Sequence, residues 1–162
     1  LPFMELISLS DLASPVEAPR EDALTLSENA LRKAEYYARK TGEMVLADDS
    51  GFFIDCLDAW PGLKSSRVGD TDDTRIDAVL ERMDKIPAEQ RSASFETSLA
   101  FFDPKTACSF MARGKTQGMV LDRKTELKTG FGYDPIFYIP EAQKSYAEMD
   151  TQEKNSFSLR AR

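Results

Sequence analysis

Asp48 and Asp49 stand side by side in the run Met44-Val45-Leu46-Ala47-Asp48-Asp49-Ser50-Gly51-Phe52-Phe53-Ile54. Apolar runs of this length read as buried strands. Two carboxylates at the end of such a strand are costly, roughly several kcal/mol each, unless positive charge meets them. A divalent cation answers that need. The alternative is a strand closed by a tight Ser-Gly turn, with an aspartate capping local amides and Gly51 at positive φ. A third acid, Glu28, stands where a helix should begin, as a cap or as a second carboxylate for the same cation. Lys33 lies five residues on, about 140° around a regular helix from Glu28.

The later part of the chain carries different chemistry. Gly130-Phe131-Gly132-Tyr133-Asp134 places two glycines around an aromatic residue, so backbone can approach a flat ligand with Phe131 or Tyr133 stacked on it. A turn with a packed aromatic is the competing reading. Lys154, Asn155 and Arg160 follow, either solvated or facing an anion, and Pro61-Gly62-Leu63-Lys64-Ser65-Ser66-Arg67 adds hydroxyls and two cations that suit solvent or phosphate. Acids for a hard cation (Glu28, Asp48, Asp49), an aromatic shelf (Phe131 to Asp134) and late cations (Lys154, Arg160) are the parts that hold a magnesium-bound nucleoside triphosphate.

Composition narrows the chemistry further. The 162 residues contain no histidine, which removes histidine bases, Ser-His triads and histidine zinc sites. A net charge of -7 disfavours nonspecific attraction to nucleic acid, so a polyanionic ligand needs local cations. No apolar run approaches the roughly 20 residues that span a bilayer, and the start lacks the basic flank of a signal peptide. A cytoplasmic protein without membrane or nucleic-acid partners is expected. Cys56 and Cys108 each lie in an apolar, strand-like run and are expected as buried free thiols.

The elements that must position these residues follow from periodicity. Leu1 to Leu9 reads as a strand and Ser10 to Asp22 as a loop. Thr25-Leu26-Ser27-Glu28 has capping-box spacing, and Ala30, Leu31, Ala34, Tyr37 and Ala38 form one helical stripe ending near Gly42. Thr71 opens a second helix to Met83, with Ile76, Val79, Leu80 and Met83 on one face. Ser92 to Asp103 and Ala107 to Leu121 predict an antiparallel hairpin with Phe95, Leu99, Phe101, Phe110 and Met111 as core residues. Ile136 to Ile139 is a further strand, and Asp150-Thr151-Gln152-Glu153 caps a last helix.

The ordered set Ser27-Glu28-Asn29-Ala30-x-x-Lys33-Ala34, Ala47-Asp48-Asp49-Ser50-Gly51, Pro61-Gly62-x-x-Ser65-Ser66-Arg67, Gly130-Phe131-Gly132-Tyr133-Asp134-Pro135-Ile136-Phe137 and Glu153-Lys154-Asn155 resembles the inosine/xanthosine triphosphate pyrophosphatase family. The resemblance covers nearly the whole chain. It implies an elongated, two-lobed α/β fold with a long central mixed β-sheet, flanking helices and a substrate cleft between the lobes, in a homodimer. It also implies Mg2+-dependent hydrolysis of noncanonical purine nucleoside triphosphates (ITP, dITP, XTP) to the monophosphate and pyrophosphate.

By matching motif positions, Asp49 is the expected catalytic carboxylate and a metal ligand, with Glu28 as the second metal-side acid. Ser50, Phe131, Gly132, Tyr133, Asp134, Lys154, Arg160 and Lys33 are the expected substrate contacts. Residues 1–162 are expected to form a single domain that lacks the family's opening strand, its Thr-x-Asn-x-x-Lys phosphate loop and the end of the last helix. Where the family reads Ser-His-Arg, this chain reads Ser158-Leu159-Arg160. That exchange of a polar base contact for an apolar one leaves two further expectations: altered base selectivity, or a nucleotide-binding relative with impaired catalysis.

Overall fold

The computed structural model describes residues 5–12, 15–126 and 130–157. It contains helices α1 (Leu26–Thr41), α2 (Asp72–Met83) and α3 (Thr151–Phe157). Strands β1 (Val45–Ile54), β2 (Pro61–Gly62), β3 (Ser92–Phe102), β4 (Ser109–Val120), β5 (Phe137–Ile139) and β6 (Lys144–Ser145) form one sheet in the order β2-β1-β3-β4-β5-β6. The α/β class is as expected. Where a mixed sheet was anticipated, every pairing among the described residues is antiparallel, because none of the described connections is a crossover between parallel neighbours.

Helix α1 begins where Thr25 Oγ1 accepts from the Glu28 amide at 3.1 Å and ends at Gly42, whose φ of 77° lets its N–H reach the Ala38 carbonyl at 2.8 Å. The capping box is half made, since the Glu28 carboxylate accepts from Leu24 N instead of Thr25 N. Ala30, Ala34 and Ala38 are fully buried, and their small side chains let the helix lie close to the sheet.

Strand alternation divides the core in two. Val45 and Ala47, opposite Phe102 and Ala100, pack against the alanine face of α1. Phe52 and Ile54, opposite Phe95 and Ala93, point the other way into a larger core with Ile76, Val79 and Met83 of α2 and Phe137 of β5. The cores therefore occupy opposite faces and opposite ends of β1 and β3, and polar residues lie between them.

Several expectations are corrected. Ser50-Gly51 makes no turn: both residues stay in β1, paired with Thr97 and Glu96. Gly51 is required by space, since a Cβ there would lie 2.7 Å from the Gly62 carbonyl oxygen and 2.8 Å from the Phe53 ring. Residues 5–8 form no strand, because Ser8 caps a 3-10 turn over Leu9–Asp11; residues 1–4 lie outside the described part. Cys56 and Cys108 are free but exposed, one in the 3-10 turn after β1 and the other in the β3–β4 connection. Phe110 and Met111 are 72% and 53% exposed, because their part of β4 runs past both cores.

Candidate active site

Asp49 lies opposite Ser98 on the α1 face of the sheet, at the seam between the two cores. Its Oδ2 accepts from Asn29 Nδ2 at 3.2 Å and its Oδ1 from Lys33 Nζ at 2.8 Å. Asn29 and Lys33 are one helical turn apart, so a single face of α1 grips both carboxylate oxygens. Lys33 also reaches Glu21 Oε1 at 3.2 Å. Burial alone would lower the Lys33 pKa, but hydrogen bonds and charge from Asp49 and Glu21 outweigh it and hold it above the ordinary 10.5. Asp49 thus has a fixed orientation beside a permanent cation.

Glu28 neighbours Asn29 in the first turn of α1 and accepts from Leu24 N at 3.2 Å. Among the described residues no three Asp, Glu, His or Cys side chains converge as an all-protein metal cage. Magnesium rarely uses one: it is commonly held by one or two carboxylates together with waters and substrate phosphates. An ionised carboxylate has about four lone-pair sites, so Asp49 keeps acceptor capacity beyond its two donors. Asp49 and Glu28 are carboxylates of the kind such an ion takes.

Asp48 does not join that set. Neighbouring strand residues face opposite ways, and Asp48 Oδ2 accepts from Ser50 Oγ at 3.2 Å on the other face of β1. There Ser50 Oγ also meets Thr97 Oγ1 at 2.6 Å. Ser50 borders a cavity of about 250 Å³ that Phe131, Gly132, Tyr133, Asp134 and Lys154 also line. Five of the expected substrate residues thus share one cavity with Ser50.

Within it, the two aromatics differ. Phe131 is 67% exposed. Tyr133 is buried, stacked on Phe52 with ring centroids 4.8 Å apart, and donates its hydroxyl to the Ser65 carbonyl at 2.8 Å. Desolvation pushes its pKa up to about 12, so the hydroxyl stays protonated. It is a wall of the cavity, while most of Phe131 is exposed. Asp134 is buried, accepts from Phe131 N at 2.8 Å and pairs with the Lys154 ammonium, which lies 5.4 Å from the Phe131 ring centroid. On the far side Gly132 N donates to Asp72 Oδ2 at 2.7 Å, and Asp72 is paired with Arg75. Arg160 and Leu159 lie outside the described residues.

The two halves meet around the outer edge of β1. Ser65 Oγ accepts from Phe52 N at 2.8 Å and donates to the Gly62 carbonyl, which seats the Ser65–Arg67 turn along that edge. Ser66 lines the aromatic cavity, while Arg67 turns toward Glu21, the partner of Lys33. Asn29 and Ser65 stand in the sequence motifs without an assigned role, and Glu21 and Asp72 were not singled out from sequence as site residues. The Asn29/Lys33 spacing was readable as a polar pair on an otherwise alanine-rich helix face; the contacts of the others are long-range and leave no local trace.

Comparison with known proteins finds relatives over nearly the whole chain. The model of the Ham1 family matches residues 3–162. A dITP/XTP pyrophosphatase of Leuconostoc mesenteroides is 39% identical across 99% of this chain and 78% of its own length, and one from Thermus thermophilus is 40% identical across 97% and 75%. Among solved structures, a HAM1 protein from Coxiella burnetii aligns with a TM-score of 0.82 at 39% identity, over 93% of this chain and 82% of its own. The Staphylococcus aureus Ham1 protein aligns with a TM-score of 0.88 at 31% identity, over 98% and 82%.

Proposed function

This chain belongs to the Ham1 family, and from that premise we propose that it hydrolyses noncanonical purine nucleoside triphosphates such as ITP, dITP and XTP to the monophosphate and pyrophosphate. The observation that carries this reading is Asp49, held by Asn29 and Lys33 one strand position from the Ser50 that borders the aromatic cavity. The purine stacks on Phe131, with the buried Asp134–Lys154 pair at the ring edge, and the phosphates run toward Lys33.

In the reaction the oxygen of a water molecule bonds to the α-phosphorus. The bond from that phosphorus to the bridging oxygen breaks, and pyrophosphate leaves with that oxygen. Asp49 orients the water and takes its proton. With no histidine in the chain, a carboxylate held in one orientation is a reasonable base. Bound Mg2+ would lower the proton affinity of water and offset phosphate charge, with Asp49 and Glu28 holding it. Lys33 keeps its charge beside the reacting centre, in a site where fixed charges count for more than in bulk water.

Cytoplasmic location and a homodimer complete the proposal. Two exposed free thiols suit a reducing compartment, and among the described residues no helix is long and apolar enough to cross a membrane. A second copy has a surface to meet: Leu46, Phe101 and Phe110 are register neighbours on the sheet face opposite α1, and Leu46 and Phe110 are 58% and 72% exposed.

The test is pyrophosphate release from ITP, dITP and XTP, with and without Mg2+. Asp49→Asn is expected to lower turnover by about 10²–10⁴-fold. Turnover unchanged by that substitution rejects the assignment.

A further inference from the structure

Residues 21–24 lie directly on the groups assigned above to phosphate and metal. Glu21 Oε1 is 3.2 Å from Lys33 Nζ, and its Oε2 is 3.2 Å from Arg67 Nη2. Arg67 Nη2 also donates to the Glu21 carbonyl at 2.7 Å. Asp22 pairs with Arg32, Ala23 N donates to Asn29 Oδ1 at 3.1 Å, and Leu24 N donates to Glu28 Oε2. Each of these four residues is therefore tied to a side chain of α1, and Glu21 also to Arg67. The charges Asp49, Lys33, Glu21 and Arg67 alternate in sign in a line around the outer edge of β1, from the α1 face toward the cavity face.

We propose that Lys33 and Arg67 are paired phosphate contacts astride the β1 edge, and that Glu21 is an internal anion that fills them until a polyphosphate displaces it. The inference rests on the reading of the site given above and adds Arg67 and Glu21 to it. A carboxylate between two cations copies the charge and acceptor geometry of a phosphate oxygen pair. Its hold is weak enough to yield, since the Glu21 and Arg67 side chains are 36% and 49% exposed and exposed ion pairs contribute little. A polyphosphate brings more charge and more acceptor oxygens to the same two donors. With Glu21 displaced, the segment 21–24 loses one of its ties to α1.

The arrangement predicts competition. If Glu21 occupies the cations in about nine molecules of ten, removing its charge tightens polyphosphate binding about tenfold, because apparent affinity scales with the open fraction. Calorimetric titration of Mg2+-pyrophosphate and of tripolyphosphate into wild type, Glu21→Gln, Arg67→Met and the double variant provides the measurement. Glu21→Gln is expected to bind both probes about tenfold more tightly and Arg67→Met more weakly. In the Arg67→Met background the gain from Glu21→Gln should shrink, because half of the contested site has gone. Hydrogen exchange at amides 21–24 should rise on addition of pyrophosphate in wild type.

Equal or weaker binding by Glu21→Gln would make Glu21 a fixed brace and overturn the proposal. Unchanged binding by Arg67→Met, or amides 21–24 that gain protection with pyrophosphate, would overturn it equally. Pyrophosphate binding that follows these expectations in a chain that hydrolyses none of the triphosphates would sink the catalytic reading and leave this one standing.

Discussion

Asn29 and Lys33 decide what Asp49 can do. A carboxylate whose two oxygens are each held by a different donor cannot rotate freely, so its remaining lone pairs point in fixed directions. Asn29→Ala is expected to lower kcat more than it raises KM for XTP, because orientation of the proposed base matters most in the transition state. A fall of about tenfold is expected, and steady-state kinetics checks it. Tyr133 provides a second residue-level test. Its raised pKa favours the neutral form in the fold, so its contribution to stability is complete below 10.0 and is lost as pH rises from there toward about 12. Ultraviolet titration should show a tyrosine ionising near pH 12, and Tyr133→Phe should abolish that step. Loss of its hydrogen bond to Ser65 should cost about 1 kcal/mol in denaturant unfolding.

At the scale of elements, β1 does two jobs because strand residues alternate. Its odd positions deliver Asp49 to α1 and its even positions deliver Ser50 to the aromatic cavity. Gly51 keeps β2 close enough for the Ser65–Arg67 turn to follow the edge. Gly51→Ala would force its new Cβ into the Gly62 carbonyl and is expected to destabilise the fold by about 1–3 kcal/mol, as overpacking does, with a lowered Tm. Helix α1 depends on Thr25 in the same way. Thr25→Ala removes the acceptor for the Glu28 amide and should cost about 1 kcal/mol. The loop 130–134 is braced from two sides, by Asp134 on the Phe131 amide and by Asp72 on Gly132, so the Phe131 ring sits on a fixed base.

For the whole molecule, the Lys33 cluster links charge to stability. Its raised pKa means that the stabilisation is complete below 10.5 and is lost as pH rises through the higher folded value. Unfolding midpoints measured across that range should fall less steeply in Lys33→Met than in wild type. The uncovered sheet face is the other property at this scale. Apolar side chains grouped in register on one face mark an association surface, and Phe110→Glu should convert a sedimenting dimer to a monomer without loss of helix signal. A monomeric wild-type protein would remove the dimer from the proposal.

Local signals made much of this molecule legible. Thr25 and Gly42 bound α1, Thr71 starts α2, and the hairpin of β3 and β4 follows from two long alternating runs, because caps and periodicity act over a few residues. The motifs marked Asp49 and Phe131 to Asp134 as candidates, and the fold sets Asp49 beside Lys33 and lines one cavity with residues 131–134. Packing decided what local signals cannot carry. Ser50-Gly51 read as a turn and is strand, because β3 supplies a partner for each residue of β1. Phe110 read as core and is exposed, because burial depends on what lies opposite a strand and not on the strand itself. Only the tertiary structure separated Asp48 from Asp49, made Tyr133 a wall and set Glu21 between Lys33 and Arg67, since each of those facts depends on contacts between distant parts of the chain.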